Sequence, residues 1–229
     1  MNDEELKEKT AEAETAAETA ADGKKAKVKK SIGREILEWV LTIAAALVIA
    51  FVVRTFIFEP VKVDGASMND TLVDGEVMIV TKFEYSTASI PLIGDFTVGG
   101  NPKRFDVVIC HYPGRGSTNF VKRVIGIPGD TLKLENGYLY LKAAGETEFT
   151  KYDEPYISEA YRSGYLTNFP EYTVPEGSYF VMGDHRNNSN DSRSQGPITR
   201  DMIVGKVACV VWPFSSFRTV ANGLDFKAD

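Results

Sequence analysis

The hydropathy pattern changes once, near Pro60. Before it, "WVLTIAAALVIAFVV" runs from Trp39 to Val53 without a charge, and Arg54 and "TFIF" carry it to Phe58. A bilayer span needs about 20 apolar residues, and 39–58 supplies them if Arg54 snorkels to the interface. The stretch lacks a polar face, which argues against a buried amphipathic core helix. After Pro60 the pattern alternates. "EVMIVTKFEY", "FDVVICHY", "NFVKRVIGI", "DTLKLENGYLYLKA", "SYFVMGD" and "IVGKVACVVWPF" are short, rich in β-branched and aromatic residues, and bounded by Gly, Pro, Asn and Asp. Each predicts a strand. Asn136-Gly137 is the signal of a tight hairpin.

The fold class predicted is therefore mostly β. A single N-terminal transmembrane helix precedes a β-rich catalytic domain with a small inserted β subdomain. The expected organisation is a disordered tail over 1–30, an anchor over 35–58, the β-rich domain over 59–136 and 176–218, an insert over 137–175, and a C-terminal tail over 219–229. The tail follows from composition: "MNDEELKEKTAEAETAAETAADG" has no large apolar residue after Leu6 and cannot bury a core. Lys24, Lys25, Lys27, Lys29, Lys30 and Arg34 flank the anchor on its N-terminal side. The positive-inside rule then puts the N-terminus in the cytoplasm and the β-rich domain outside. A cleaved secretory signal is the competing reading, but the apolar run is long for one.

Composition narrows the partners. The formal net charge is −6, which argues against nucleic acid. The two cysteines, Cys110 and Cys209, make neither a disulfide scaffold nor a zinc site, and each sits in an apolar run. No cofactor and no metal are implied, since His111 and His185 are the only histidines and no HExxH pattern is present.

Ser67, in "VDGASMNDTL", is a candidate nucleophile, and a serine needs a base. His185, in "GDHRNNSNDSR", makes a Ser-His-Asp arrangement available on residue types alone. Lysine is the other option, provided it is neutral. Its ordinary pKa is roughly 10.4, and lowering that by about three pH units costs about 4 kcal/mol. The candidate must therefore sit on an apolar strand face. In "NFVKRVIGIPGD", Phe120, Lys122 and Val124 share one face, while Val121, Arg123 and Ile125 share the other. Lys122 meets the requirement, and Arg123 points away from it.

"GASMNDTL", "RFDVVIC", "NFVKRVIGIPGD" and "GDHRNNSNDSR", in that order after one membrane span, resemble the type I signal peptidases, as found in Gram-positive bacteria. The resemblance runs from about Glu35 to Val211. It implies a membrane-anchored serine endopeptidase with a Ser-Lys dyad, Ser67 as nucleophile and Lys122 as general base. It further implies that Ser189 orients the lysine, and that Asp191, Arg193 and Arg123 brace the site, with Asp130 of the same kind. Gly65 stands where some members carry a hydroxyl oxyanion donor, which leaves the Ser67 N–H for that task. Gly65, Leu72, Met78, Phe120 and Val121 are the implied substrate-binding residues. The implied substrates are secretory preproteins, cut after small residues (Ala-x-Ala). Membrane lipid is the other implied partner, and a monomer is expected. The apolar "FIFEPV", with Trp212 and Phe214, is expected to rest on the lipid surface.

Two positions depart from that family's pattern. Asp70 replaces a proline behind the nucleophile, and its carboxylate would raise the lysine's pKa if it lay close. His185 replaces an asparagine. Two other readings stay open on sequence. One is a soluble self-cleaving repressor with a Ser-Lys pair. The other is an inactive membrane-anchored binding or pilus-assembly protein of the same fold.

Overall fold

The structure is a computed structural model. It describes residues 32–90, 94–112, 114–115, 118–163 and 167–223, with the side chains of 55, 56, 86–90 and 94–98 excepted. The expected disordered tail lies outside the described residues.

Helix α1 (Ile32–Val52) is 21 residues long, with a mean hydropathy of 2.2 over its most apolar stretch, and none of its residues is buried. At 1.5 Å per residue it is about 30 Å long, the thickness of a bilayer's hydrocarbon core. It ends earlier than the hydropathy suggested. Val53–Ile57 form a π-turn, and Phe58 already begins β1 (Phe58–Lys62). Pairing with a neighbouring strand decides this, because Phe58–Lys62 bonds β2 (Val77–Thr81) residue for residue. The chain divides into two compact units, residues 1–49 and 50–229.

The second unit is built on antiparallel sheets. After β1 and β2 come the hairpin β3 (Tyr85–Ile90) and β4 (Gly94–Gly99), then β5 (Val107–Cys110) and β6 (Phe120–Gly126). β7 (Thr131–Glu135), β8 (Tyr138–Lys142), β9 (Thr150–Tyr152), the one-turn helix α2 (Glu159–Arg162) and β10 (Phe169–Thr173) form the next stretch. β11 (Ser178–Met182), the short helix α3 (Ser192–Gln195), β12 (Ile198–Thr199), β13 (Ile203–Trp212) and β14 (Arg218–Thr219) complete the chain. The large sheet has the order β1-β2-β13-β5-β6-β11-β12, with β14 paired to β13. A second sheet has the order β10-β7-β8-β9.

All six strand segments predicted from alternation are present. Asn136 and Gly137 have φ of 52° and 82°, as a primed hairpin turn needs. Two boundaries move. The inserted sheet starts with β7 at Thr131, because Thr131–Glu135 pairs with Tyr138–Lys142 and with β10, and its Leu132, Leu134, Leu139 and Leu141 pack against Ile125, Phe180 and Met182 of the large sheet. Residues 219–223 are not a tail. Thr219 pairs with Cys209, and the Asn222 side chain accepts from Val107 N–H and donates to the Val207 and Val220 carbonyls. Both cysteines are free, Cys110 buried and Cys209 half-buried.

Strand β6 is buried on both faces. Val124, with Phe120 against its edge, packs in the cluster of Val108, Cys110 and Tyr112, while Ile125 packs in the insert-side cluster with Phe105 and Phe180. The expectation that Arg123 points away from the lysine is met in direction. It does not reach water, however: Arg123 is 0% exposed.

Candidate active site

Ser67 sits in the turn that follows β1. Met68 and Leu72 anchor this turn in the core with Val107, Ile109 and Val207. Thr71 N–H and Leu72 N–H both donate to the Met68 carbonyl, so the turn is a single tight loop with Ser67 at its start. Lys122 Nζ lies 2.8 Å from Ser67 Oγ and donates to the Val121 carbonyl at 2.8 Å. The lysine is 2% exposed. Burial lowers its pKa, and the nearby Asp191 and Asp184 charges offset this only in part. A serine hydroxyl in contact with a desolvated amine is the pairing that a Ser-Lys mechanism needs.

A groove of about 270 Å³ ends at this pair. One wall is Val61 to Gly65, the other Thr118 to Lys122, with Ser67 and Met68 at the end. Gly65, Phe120 and Val121, three of the residues expected to bind substrate, are among its lining. Leu72 and Met78 are not. Both are 0% exposed and pack in the core cluster that also holds the groove residues Val63 and Met68. Val61, Val63 and Met68 line the groove instead, with no local signal along the chain to mark them. Gly65 has φ of +95°, which a residue with a Cβ rarely adopts, and its N–H donates to Asp74.

Ser189 is close but does not hold the lysine. Its Oγ is buried without a hydrogen bond of good geometry, and only slightly favours the Asp191 carboxylate. Besides Ser67 Oγ, the partner of Lys122 Nζ is the Val121 carbonyl. The approach is tight: a Cβ built on Gly183 would lie 2.3 Å from Ser189 Oγ and 2.4 Å from the Ser67 carbonyl. Any side chain at Gly183 would thus push the last motif off Ser67.

Two buried ion pairs support the site. Asp191 binds Arg193 through two bonds of 2.9 and 2.8 Å, both side chains 0% exposed, and accepts Gly183 N–H at 3.0 Å. Burial alone would raise the Asp191 carboxyl, but Arg193 outweighs it and holds the group below the usual range. Arg123 donates to both Asp184 oxygens at 3.0 and 2.8 Å, and to the Phe105 and Ala221 carbonyls at 2.9 and 2.8 Å. Its guanidinium stacks on Tyr156 at 3.9 Å, and Asp184 also accepts the Thr71 hydroxyl. Asp130 binds Arg104 through two bonds of 2.6 Å and caps Ile127 N–H, bracing the turn after β6.

The two unusual positions have definite roles. Asp70 has φ of +81° and accepts Ser158 N–H at 2.9 Å, so its carboxylate is tied to the insert. The carboxylates that act on the lysine are Asp191 and Asp184. His185 donates Nδ1–H to the Ala66 carbonyl at 2.9 Å and stacks on Tyr161. It makes no hydrogen bond to Ser67 Oγ, so the triad alternative has no geometry behind it. His111 Nε2 contacts Asn119 Oδ1 at 2.8 Å on the rim of the groove. Among the described residues no cluster of His, Cys, Asp and Glu is arranged to hold a metal.

An antiparallel β unit with a hydroxyl and a desolvated amine at the end of an apolar-sided groove has the layout of a serine endopeptidase with lysine in place of histidine. Comparison with known proteins gives the family. The family model described as "Signal peptidase, peptidase S26" matches residues 36–212. The chain is 37% identical over 199 residues to signal peptidase IB of Staphylococcus aureus (strain COL), covering 81% of this chain and 94% of that one. It is 40% identical over 190 residues to signal peptidase I P of Bacillus subtilis subsp. natto, covering 80% and 92%. A crystal structure of a signal peptidase I from Enterococcus faecalis V583 aligns with a TM-score of 0.38 at 31% identity, over 47% of this chain and 97% of that one. The chain belongs to the S26 signal peptidase family, as a type I enzyme that removes signal peptides.

Proposed function

We propose that Ser67 is the nucleophile and Lys122 the general base, and that the enzyme cuts exported preproteins after small residues of the Ala-x-Ala kind. The 2.8 Å contact between Lys122 Nζ and Ser67 Oγ carries this reading. A neutral Lys122 takes the Ser67 proton as Oγ attacks the scissile carbonyl. The oxyanion that forms faces the Ser67 N–H, which no other group engages among the described residues. Lys122 then protonates the leaving amine and later activates the water that releases the acyl group. Selectivity for small residues follows from the groove's modest volume and its walls of Val61, Val63, Met68, Phe120 and Val121. A signal-peptide end in extended form adds between the two walls as a strand. Ser67→Ala and Lys122→Ala should each abolish cleavage of an Ala-x-Ala preprotein while circular dichroism stays native. Normal processing by either variant refutes the assignment.

We also infer that α1 anchors the chain with its N-terminus in the cytoplasm, from the basic cluster before it. The catalytic unit then works on the outer side, with its apolar edge on lipid. Strand register favours one edge for this role. Phe58 pairs with Thr81 and Trp212 with Val77, at opposite ends of β2, so they do not form one patch. Trp212, Phe214 and Phe217, 52%, 78% and 65% exposed, lie at the β2 end shared with Lys62, where the groove begins. Polar replacement of these three should weaken vesicle binding and cleavage of membrane-borne preprotein, but not of a soluble peptide. Equal activity on both substrates counts against it.

A further inference from the structure

We propose that His185 is a positioning residue for the oxyanion hole, and that the insert holds it there through Tyr161. The inference rests on Ser67 being the nucleophile and its N–H the oxyanion donor.

The argument begins with the peptide bond. A peptide unit is planar, so the Ala66 carbonyl and the Ser67 N–H point in opposite directions from one rigid plane. Fixing the carbonyl aims the N–H. His185 Nδ1–H donates to that carbonyl at 2.9 Å. A carbonyl only accepts, so the proton is on Nδ1. The backbone N–H of His185 donates to the Ser67 carbonyl at 3.1 Å, in the next peptide plane. Both planes flanking the nucleophile are therefore tied to one residue. The Asn69 N–H gives the Ala66 carbonyl a second, longer bond of 3.2 Å, so removing the imidazole loosens the plane without freeing it. A hydrogen bond accepted at the carbonyl also polarises the N–H of the same amide, making it a better donor to a developing charge.

The imidazole is held in turn. Its ring stacks on Tyr161 at a centroid distance of 3.8 Å and 26° between planes. Tyr161 belongs to α2, whose surroundings grip the site on both sides. Ser158 N–H donates to Asp70 at 2.9 Å, and Asn187 Nδ2 donates to the Ala160 and Ser163 carbonyls at 3.2 and 3.0 Å. Asp70 ends the nucleophile turn, while His185 and Asn187 belong to the last motif. The short segment 158–163 thus clasps both pieces whose relative position sets the direction of the Ser67 N–H.

The test is steady-state cleavage of an Ala-x-Ala peptide by the full chain, with kcat referred to active sites counted from the acyl-enzyme burst. His185→Ala should lower kcat on the order of ten- to a hundredfold with little change in KM, the signature of an interaction made in the transition state. His185→Asn keeps an amide donor for the Ala66 carbonyl and should recover much of that loss. Tyr161→Leu should lower kcat in the parent enzyme, and lower it less in the His185→Asn background, where no imidazole remains to be held. A purely structural role would lower the melting temperature while kcat per active site stayed constant. Constant kcat in His185→Ala, or equal costs of Tyr161→Leu in both backgrounds, overturns the inference. Ser67→Ala runs in parallel. If it still cleaves, the nucleophile assignment fails; if it is dead while His185→Ala is normal, only the positioning role fails.

Discussion

Lys122 Nζ touches Ser67 Oγ at 2.8 Å from inside an apolar strand face, and burial is the main influence on its pKa. As the proposed base, the amine must be neutral to accept the serine proton, so falling pH through the depressed pKa should protonate it and remove activity. The kcat/KM profile should rise with pH on a limb whose midpoint lies below the ordinary lysine value of about 10.4. Lys122→Arg, which stays charged, should be inactive across the range. A limb at the ordinary value would show that the base is not buried during turnover.

The same burial is a stability cost. The unfolded chain binds the lysine proton more tightly than the folded one, so stability rises with pH from the depressed folded pKa to the unfolded pKa. Below the folded pKa the full penalty applies, about 1.4 kcal/mol for each pH unit of depression. Lys122→Met removes it and should raise the melting temperature at neutral pH while abolishing cleavage. A lower melting temperature would mean that the Ser67 and Val121 hydrogen bonds outweigh desolvation.

Asp191 and Arg193 form a pair with no exposed side-chain surface. Removing one partner strands the other charge, so Asp191→Asn should destabilise by about 3–5 kcal/mol. The Asp191 pKa is depressed, so its contribution is present above the ordinary aspartate value of about 3.9 and lost as pH falls through the lower folded value. Urea unfolding at neutral pH and under acid conditions checks both statements.

Asp70 is held at φ +81°. Proline, fixed near −65°, cannot occupy that conformation, so Asp70→Pro should distort the nucleophile turn and destabilise by about 1–3 kcal/mol. Asp70→Gly suits the backbone but loses the bond to Ser158 N–H, and should cost less. A neutral Asp70→Pro would show that the turn has a second conformation open to proline.

Leu72 and Met78 belong to the core, not to the groove. Leu72→Ala should destabilise by about 2–5 kcal/mol and leave the preference among small residues before the cut unchanged. A shift in that preference without loss of stability would return Leu72 to the substrate pocket.

The candidate dyad was legible through the four ordered motifs of the family resemblance, with which the local signals at both residues agree. Ser67 sits in a glycine-flanked turn, and Lys122 has Phe120 and Val124 two places away on either side along a strand. The substrate contacts were less legible. Leu72 and Val63 are both apolar and near Ser67 in sequence, yet only Val63 reaches the groove. The turn between them reverses the chain and sends Leu72 beneath the site. The partner of Ser189 was not legible for a similar reason: its Oγ stands without a hydrogen bond of good geometry, while Lys122 Nζ donates to the Val121 carbonyl. Residue order carries no information on which of two nearby acceptors, a hydroxyl or the Val121 carbonyl, the amine will meet.

What the sequence determined by itself is whatever period and composition encode: one apolar helix, six strand segments, the primed Asn136-Gly137 turn, and a lysine on an apolar face. Tertiary structure decided what depends on distance between remote segments. It joined β1 to β2 where hydropathy alone would continue the helix, and buried Arg123 between Asp184 and Tyr156. It also gave the insert a hold on the catalytic turn through Asp70 and His185. Period reports on neighbours along one strand, whereas these contacts join residues from 15 positions apart, Lys62 and Val77, to 119 apart, Ala66 and His185, and exist only once the sheets have packed.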